Sequence, residues 1–185
     1  MLAGLMNWLS PARRGFMRKY ARDALREMRA RTASAGSRTG SGFIATILDA
    51  NADFIAFALM PGGPLAFLAS ALTPEKVASC MRSMLVFAVN LFARDALAGN
   101  DSELIALVAY VANIDSVRVM LLRDQLRKQP RSEEWMLILW LARDLGADAP
   151  KYDPRLEREF GYNYLAYMGQ FRAGIESMIA RDARA

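Results

Sequence analysis

The chain has 185 residues, with 24 Lys and Arg against 19 Asp and Glu, no His, one Cys and a hydrophobic fraction of 54%. Without a histidine, Ser-His-Asp and Cys-His nucleophile pairs, His-ligated zinc or iron and every imidazole general base are excluded. The lone Cys80 can neither close an intramolecular disulfide nor supply a CxxC pair or a thiolate metal cage.

Much of the apolar fraction is Ala, β-branched residues are few, and no stretch alternates apolar with polar positions, so the composition predicts an all-α fold. Charge is uneven. Residues 1–38 carry nine basic side chains (Arg13, Arg14, Arg18, Lys19, Arg22, Arg26, Arg29, Arg31 and Arg38) against Asp23 and Glu27, which leaves the rest of the chain weakly acidic. The basic isoelectric point therefore belongs to the N-terminal fifth and is no general ground for nucleic-acid binding.

Leu2, Leu5, Met6 and Leu9 fall at helical spacing, and Ser10-Pro11 reads as an N-cap with Pro at the first helical position, opening a second helix over 11–33. On that helix Phe16, Met17, Tyr20, Ala24 and Met28 form a narrow apolar stripe beside an arginine ridge of Arg14, Arg18, Arg22 and Arg26. Residues 34–42, SAGSRTGSG, read as a Ser/Gly linker. The expected organisation is a basic amphipathic tail over 1–33, the linker at 34–42 and a helical domain over 43–185.

The domain opens with a helix over 43–60, ended by Pro61-Gly62-Gly63-Pro64, and a short helix over 65–72 follows. Thr73-Pro74-Glu75 starts a long helix with Val77, Cys80, Met81, Met84, Leu85, Ala88, Leu91 and Phe92 on its stripe, and Gly99 closes it. Asp101 or Ser102 caps a segment running to Lys128 with a bend at 113–116. Ser132-Glu133-Glu134 starts a helix that is apolar nearly all round and stops at Gly146, so it is expected at the centre or at an interface. Asp153-Pro154 caps the last helix, whose stripe runs through Phe160, Tyr164, Tyr167 and Met168 towards the C-terminus. The expected fold is an irregular or orthogonal bundle of about six helices behind the basic extension.

Residues 54–72 hold no charge and reach the approximate length of a membrane span, but the central PGGP argues for a hairpin, buried in a bundle or re-entrant in a bilayer. The Asp49/Asp53 and Asp144/Asp148 spacings could hold a divalent ion for a diphosphate, the logic of head-to-head prenyl synthases. Gly146 interrupts the second pair, and acidic pairs are ordinarily solvated helix faces. No cofactor is expected. Asn51 and Asn113, set among apolar neighbours, suggest a register-fixing amide and a cap at the bend. Four Ala-Arg-Asp tripeptides recur without a fixed period, so no solenoid is implied.

The leading functional expectation is a non-enzymatic interaction or scaffold protein. Arg14, Arg18, Lys19, Arg22, Arg26 and Arg29 would engage an anionic surface or partner, and Trp135, Trp140, Tyr164 and Tyr167 would form a protein interface or a homo-oligomer. Packing of that helix's stripe on the body or on another subunit is the foremost alternative, ahead of a membrane surface; a nucleic-acid partner ranks lower, because aromatics are sparse there. A cytoplasmic location is expected, with attachment to a membrane surface as the variant in which the basic helix meets lipid. The Arg-rich, acid-poor first 42 residues also resemble a mitochondrial transit segment in composition.

Overall fold

The computed structural model describes residues 11–35, 41–93, 101–128 and 131–182, with 11–18 and 170–182 described only as helix backbone. Among these residues the chain is an all-helical bundle of about seven helices without a sheet: α1 (Pro11–Ser34), α2 (Ser41–Ala58), a 3-10 turn (Ala66–Ala71), α3 (Pro74–Ala93), α4 (Asp101–Ala112), α5 (Ser116–Lys128), α6 (Glu133–Leu145) and α7 (Pro154–Asp182). The helix expected at 2–9 and the centre of the expected linker, 36–40, lie outside the described residues.

Capping chemistry sets most of these boundaries. Thr73 Oγ1 accepts from the Lys76 N–H at 3.3 Å, Asp115 Oδ1 from Val117 at 2.7 Å, Ser132 Oγ from Trp135 at 3.1 Å and Asp153 Oδ1 from Arg155 at 2.8 Å, each satisfying an orphan donor in a first turn. The expected bend is real: α4 ends with Asn113 at φ 53°, and the Ile114 N–H reaches the Ala109 carbonyl at 3.0 Å. That is a left-handed helix end with an asparagine where glycine is commonest. At the PGGP turn, a Cβ on Gly63 would lie 2.3 Å from the Phe57 carbonyl oxygen, so only glycine lets the chain fold back with the Leu65 N–H on the Ala58 carbonyl at 2.9 Å.

The centre of the bundle is α3, which touches α1, α2, α4, α5 and α6. Its expected stripe widens into a nearly continuous buried surface from Met81 through Asn90. Helix α6, expected at the centre or at an interface from its composition, packs on α3 with Leu137, Ile138, Leu141 and Ala142 buried and Met136 and Leu139 half-buried. The 54–72 segment forms the end of α2, the turn and the 3-10 helix, with Phe54, Ile55, Leu59, Leu65 and Leu68 in the core. Among the described residues no single helix is long and apolar enough to cross a membrane.

The second half of α1 packs on α2, α3 and α4. Leu25, Met28, Thr32 and Ala35 are buried there, and they share the core with Phe43, Ile44 and Ile47 of α2. A helix with this few apolar positions holds its place by docking that stripe rather than by intrinsic propensity.

Candidate functional site

Two surfaces combine charge with exposure. On α1, residues Lys19, Arg22, Arg26 and Arg29 recur at three- and four-residue intervals and lie to one side of the Leu25–Met28–Thr32 core line. Lys19, Arg22 and Arg26 are exposed, the Arg26 side chain to 82% even while it pairs with Asp23 at 2.7 Å. Arg29 is engaged differently: its Nε donates to Asp49 Oδ1 at 2.9 Å and its Nη2 reaches the same oxygen, tying α1 to α2. Arg31 turns to the other side, pairing with Glu27 at 2.8 Å and donating to Asn113 Oδ1 at 2.9 Å. The side chains of Arg14 and Arg18 lie outside the described ones.

The second surface is the elbow formed by α4 and α5, which meet at 110°. Val119, Leu122 and Leu126 bury one edge of α5 in the bundle. The opposite face shows Val117, Met120 and Leu121 to solvent at 61%, 55% and 57%, a contiguous apolar strip in the first two turns. Arg118 flanks the strip on one side and Arg123 and Arg127 on the other, while Asp124 and Lys128 pair at 2.7 Å in the last turn. Ile105 of α4 lines an open cleft of about 380 Å³ with Val117, Met120, Leu121, Arg123, Asp124 and Arg127. The periodicity of 101–128 marks a helix but not which face is uncovered, because Val117, Met120 and Leu121 carry the same apolar signal as Val119 and Leu122.

The residues expected at a protein interface are drawn inward. Trp135, Trp140 and Tyr164 are buried and Tyr167 is half-buried. Tyr164 meets Phe54 edge-on at 4.9 Å between centroids and Phe87 at 5.4 Å, and Phe54 also contacts Phe160 and Tyr167. Burial pushes the Tyr164 phenol well above its ordinary range. Trp140 Nε1 donates to Gln125 Oε1 at 3.2 Å. The Phe54, Phe87, Phe160 and Tyr164 rings join α2, α3 and α7, while Trp140 ties α6 to α5.

The chain matches no protein-family model, no curated protein and no solved structure.

Other polar clusters are structural clasps. Ser83 donates to Asp144 Oδ2 at 2.5 Å and Arg143 holds the other carboxylate oxygen at 3.0 Å, pinning α3 to α6. Cys80 is buried nearby, its thiol pushed up by burial and, secondarily, by the Asp144 carboxylate, which disfavours the thiolate. At the α6–α7 corner, Glu157 accepts from Ser132 and from the Tyr152 hydroxyl at 2.7 Å, and Arg131 lies 3.6 Å over the Tyr152 ring. The Ser132 hydrogen bond, with that from Tyr152, holds Glu157 below its ordinary range, and the same bond to Glu157 raises Tyr152. No cluster of three or more Cys, Asp or Glu side chains forms among the described residues; Asp49 is engaged by Arg29 and Asp144 by Ser83 and Arg143.

Proposed function

We propose that this bundle is a non-enzymatic interaction protein that docks on an anionic lipid surface, with the α1 ridge supplying the attraction. One observation carries the reading: Leu25 and Met28 anchor α1 in the core while Lys19, Arg22 and Arg26 stay exposed beside them. The ridge therefore has a fixed orientation on a rigid body rather than the freedom of a loose tail. Basic side chains so held lower the free energy of approach to anionic headgroups by about 1 kcal/mol each, an attraction that salt screens.

Deleting residues 1–42 is a poor test, since it would remove Leu25, Met28 and Thr32 from the core. Charge neutralisation is the better one. The combined Lys19→Gln, Arg22→Gln, Arg26→Gln variant keeps the fold and is expected to lose roughly ten- to a hundredfold of its low-salt affinity for vesicles containing phosphatidylserine. Unchanged vesicle affinity in that variant would reject the ridge as the docking element, and binding to duplex DNA in preference to vesicles would shift the partner to nucleic acid.

A further inference from the structure

We infer that the exposed strip on α5 is a shallow membrane-insertion element: Val117, Met120 and Leu121 enter the headgroup–acyl boundary of an anionic bilayer while Arg118 and Arg127 remain at the phosphates. This deepens the proposed docking on anionic lipid, on which it rests, and adds a second contact of different chemistry.

Exposure supplies the first argument. Three large apolar side chains, each more than half exposed, stand next to one another on a helix whose other edge is anchored in the core. Scattered apolar residues on a surface need no explanation, but a contiguous strip does.

Charge placement chooses the occupant. Arginines flank the strip on both sides, their aliphatic stems able to lie along apolar surface while the guanidiniums reach outward; the one carboxylate on the same face, Asp124, follows the strip in the last turns and is paired with Lys128 at 2.7 Å. A lipid interface offers an apolar layer with anions along every edge, so it meets this pattern without requiring individually placed acidic side chains; interfacial helices show the same apolar face between basic flanks.

Geometry fixes the mode. Taken together, α4 and α5 have the length and apolar composition of a broken membrane span, but they are bent by 110°. Val108 and Val111 of α4 and Val119 and Leu122 of α5 are buried in the bundle. Spanning would require pulling those side chains out of the core, whereas lying in the interface requires no rearrangement. The elbow meets α1 through Arg31, which donates to Asn113 Oδ1 and the Tyr110 carbonyl at the bend, on the side of α1 away from Lys19, Arg22 and Arg26, so the strip is a contact separate from the ridge.

The test uses the full chain with vesicles of phosphatidylcholine alone and of equal phosphatidylserine and phosphatidylcholine. Val117→Ser, Met120→Ser, Leu121→Ser in combination is expected to weaken binding to the anionic vesicles by at least about tenfold and to leave only a salt-sensitive remainder. Arg118→Gln, Arg127→Gln is expected to weaken it by roughly fivefold per residue. As an independent readout, Met120→Cys labelled with a polarity-sensitive fluorophore is expected to brighten and shift to the blue on anionic vesicles, while the same label at Tyr162→Cys on α7 does not; Cys80 is buried and stays unlabelled. An unmoved label at 120, or full affinity in the serine variant, overturns insertion while leaving docking through α1 in place if the α1 variant still loses binding. Failure of the unaltered chain to bind anionic vesicles overturns both readings, and dependence on α5 with indifference to α1 overturns only the ridge.

Discussion

Tyr164 donates its hydroxyl to Asn51 Oδ1 at 3.0 Å, joining α7 to α2 within an aromatic cluster closed to solvent. The Asn51 Nδ2 has no hydrogen-bond partner, so the pair is only half-satisfied and depends on this one bond. Tyr164→Phe is therefore expected to destabilise the fold by about 1–3 kcal/mol, because it strands a buried acceptor. Adding Asn51→Leu removes the stranded amide altogether, and the double variant should be more stable than Tyr164→Phe alone. Chemical denaturation of the two variants checks the order, and equal stability would contradict it.

The α4–α5 bend yields a second expectation. Asn113 occupies the left-handed region and also accepts from Arg31. Asn113→Gly keeps the backbone and loses the acceptor, whereas Asn113→Ala loses the acceptor and adds strain. The alanine variant should be less stable than the glycine variant by about 1 kcal/mol in thermal or denaturant unfolding.

Much of the fold was legible in the sequence because its boundaries are written in local chemistry. Thr73-Pro74, Asp153-Pro154, Ser132 and Gly146 specify their helix ends through bonds within a few residues, and the structure places those ends within a residue of expectation. Asn113 marked the bend for the same reason. What was not legible is which apolar face meets which neighbour. Helix α6, apolar nearly all round, pointed to the centre or to an interface; the helix with five neighbours is α3, and no local pattern encodes that number. The exposed strip on α5 was hidden for the converse reason: Met120 and Val119 are adjacent and alike in hydropathy, and only the packing shows that one is exposed and the other buried. Of the expected ridge of Arg14, Arg18, Arg22 and Arg26 only Arg22 and Arg26 fall among the described side chains, and the engagement of Arg29 by Asp49 was not legible from spacing.

The α6–α7 clasp makes stability depend on pH. Glu157 is held below its ordinary value of 4.5, chiefly by the Ser132 hydrogen bond. A carboxylate depressed in the folded state contributes stability that is fully present above its unfolded pKa and is lost as pH falls through the folded one. The clasp should therefore be intact at neutral pH and weaken as pH drops from about 4.5 to below it. Glu157→Gln should flatten that part of the stability profile in denaturation measured across the acid range. A profile identical to that of the unaltered chain would show that the clasp contributes nothing.

Cys80 provides a check on the core. Its thiol is buried beside the Asp144 carboxylate, which with desolvation disfavours the thiolate. A thiol-reactive disulfide reagent at neutral pH should leave the folded chain unmodified and react stoichiometrically once denaturant is added. Rapid reaction without denaturant would mean that α3 is not the sealed centre of the bundle.

The most direct test of the central claim is co-sedimentation of the full chain with vesicles of increasing phosphatidylserine content, at low and high salt. The account predicts negligible binding to phosphatidylcholine alone, a steep rise with phosphatidylserine, and a partial loss in high salt that leaves the contribution of Val117, Met120 and Leu121. Binding that is absent at every composition, or equal on neutral and anionic vesicles, would contradict it.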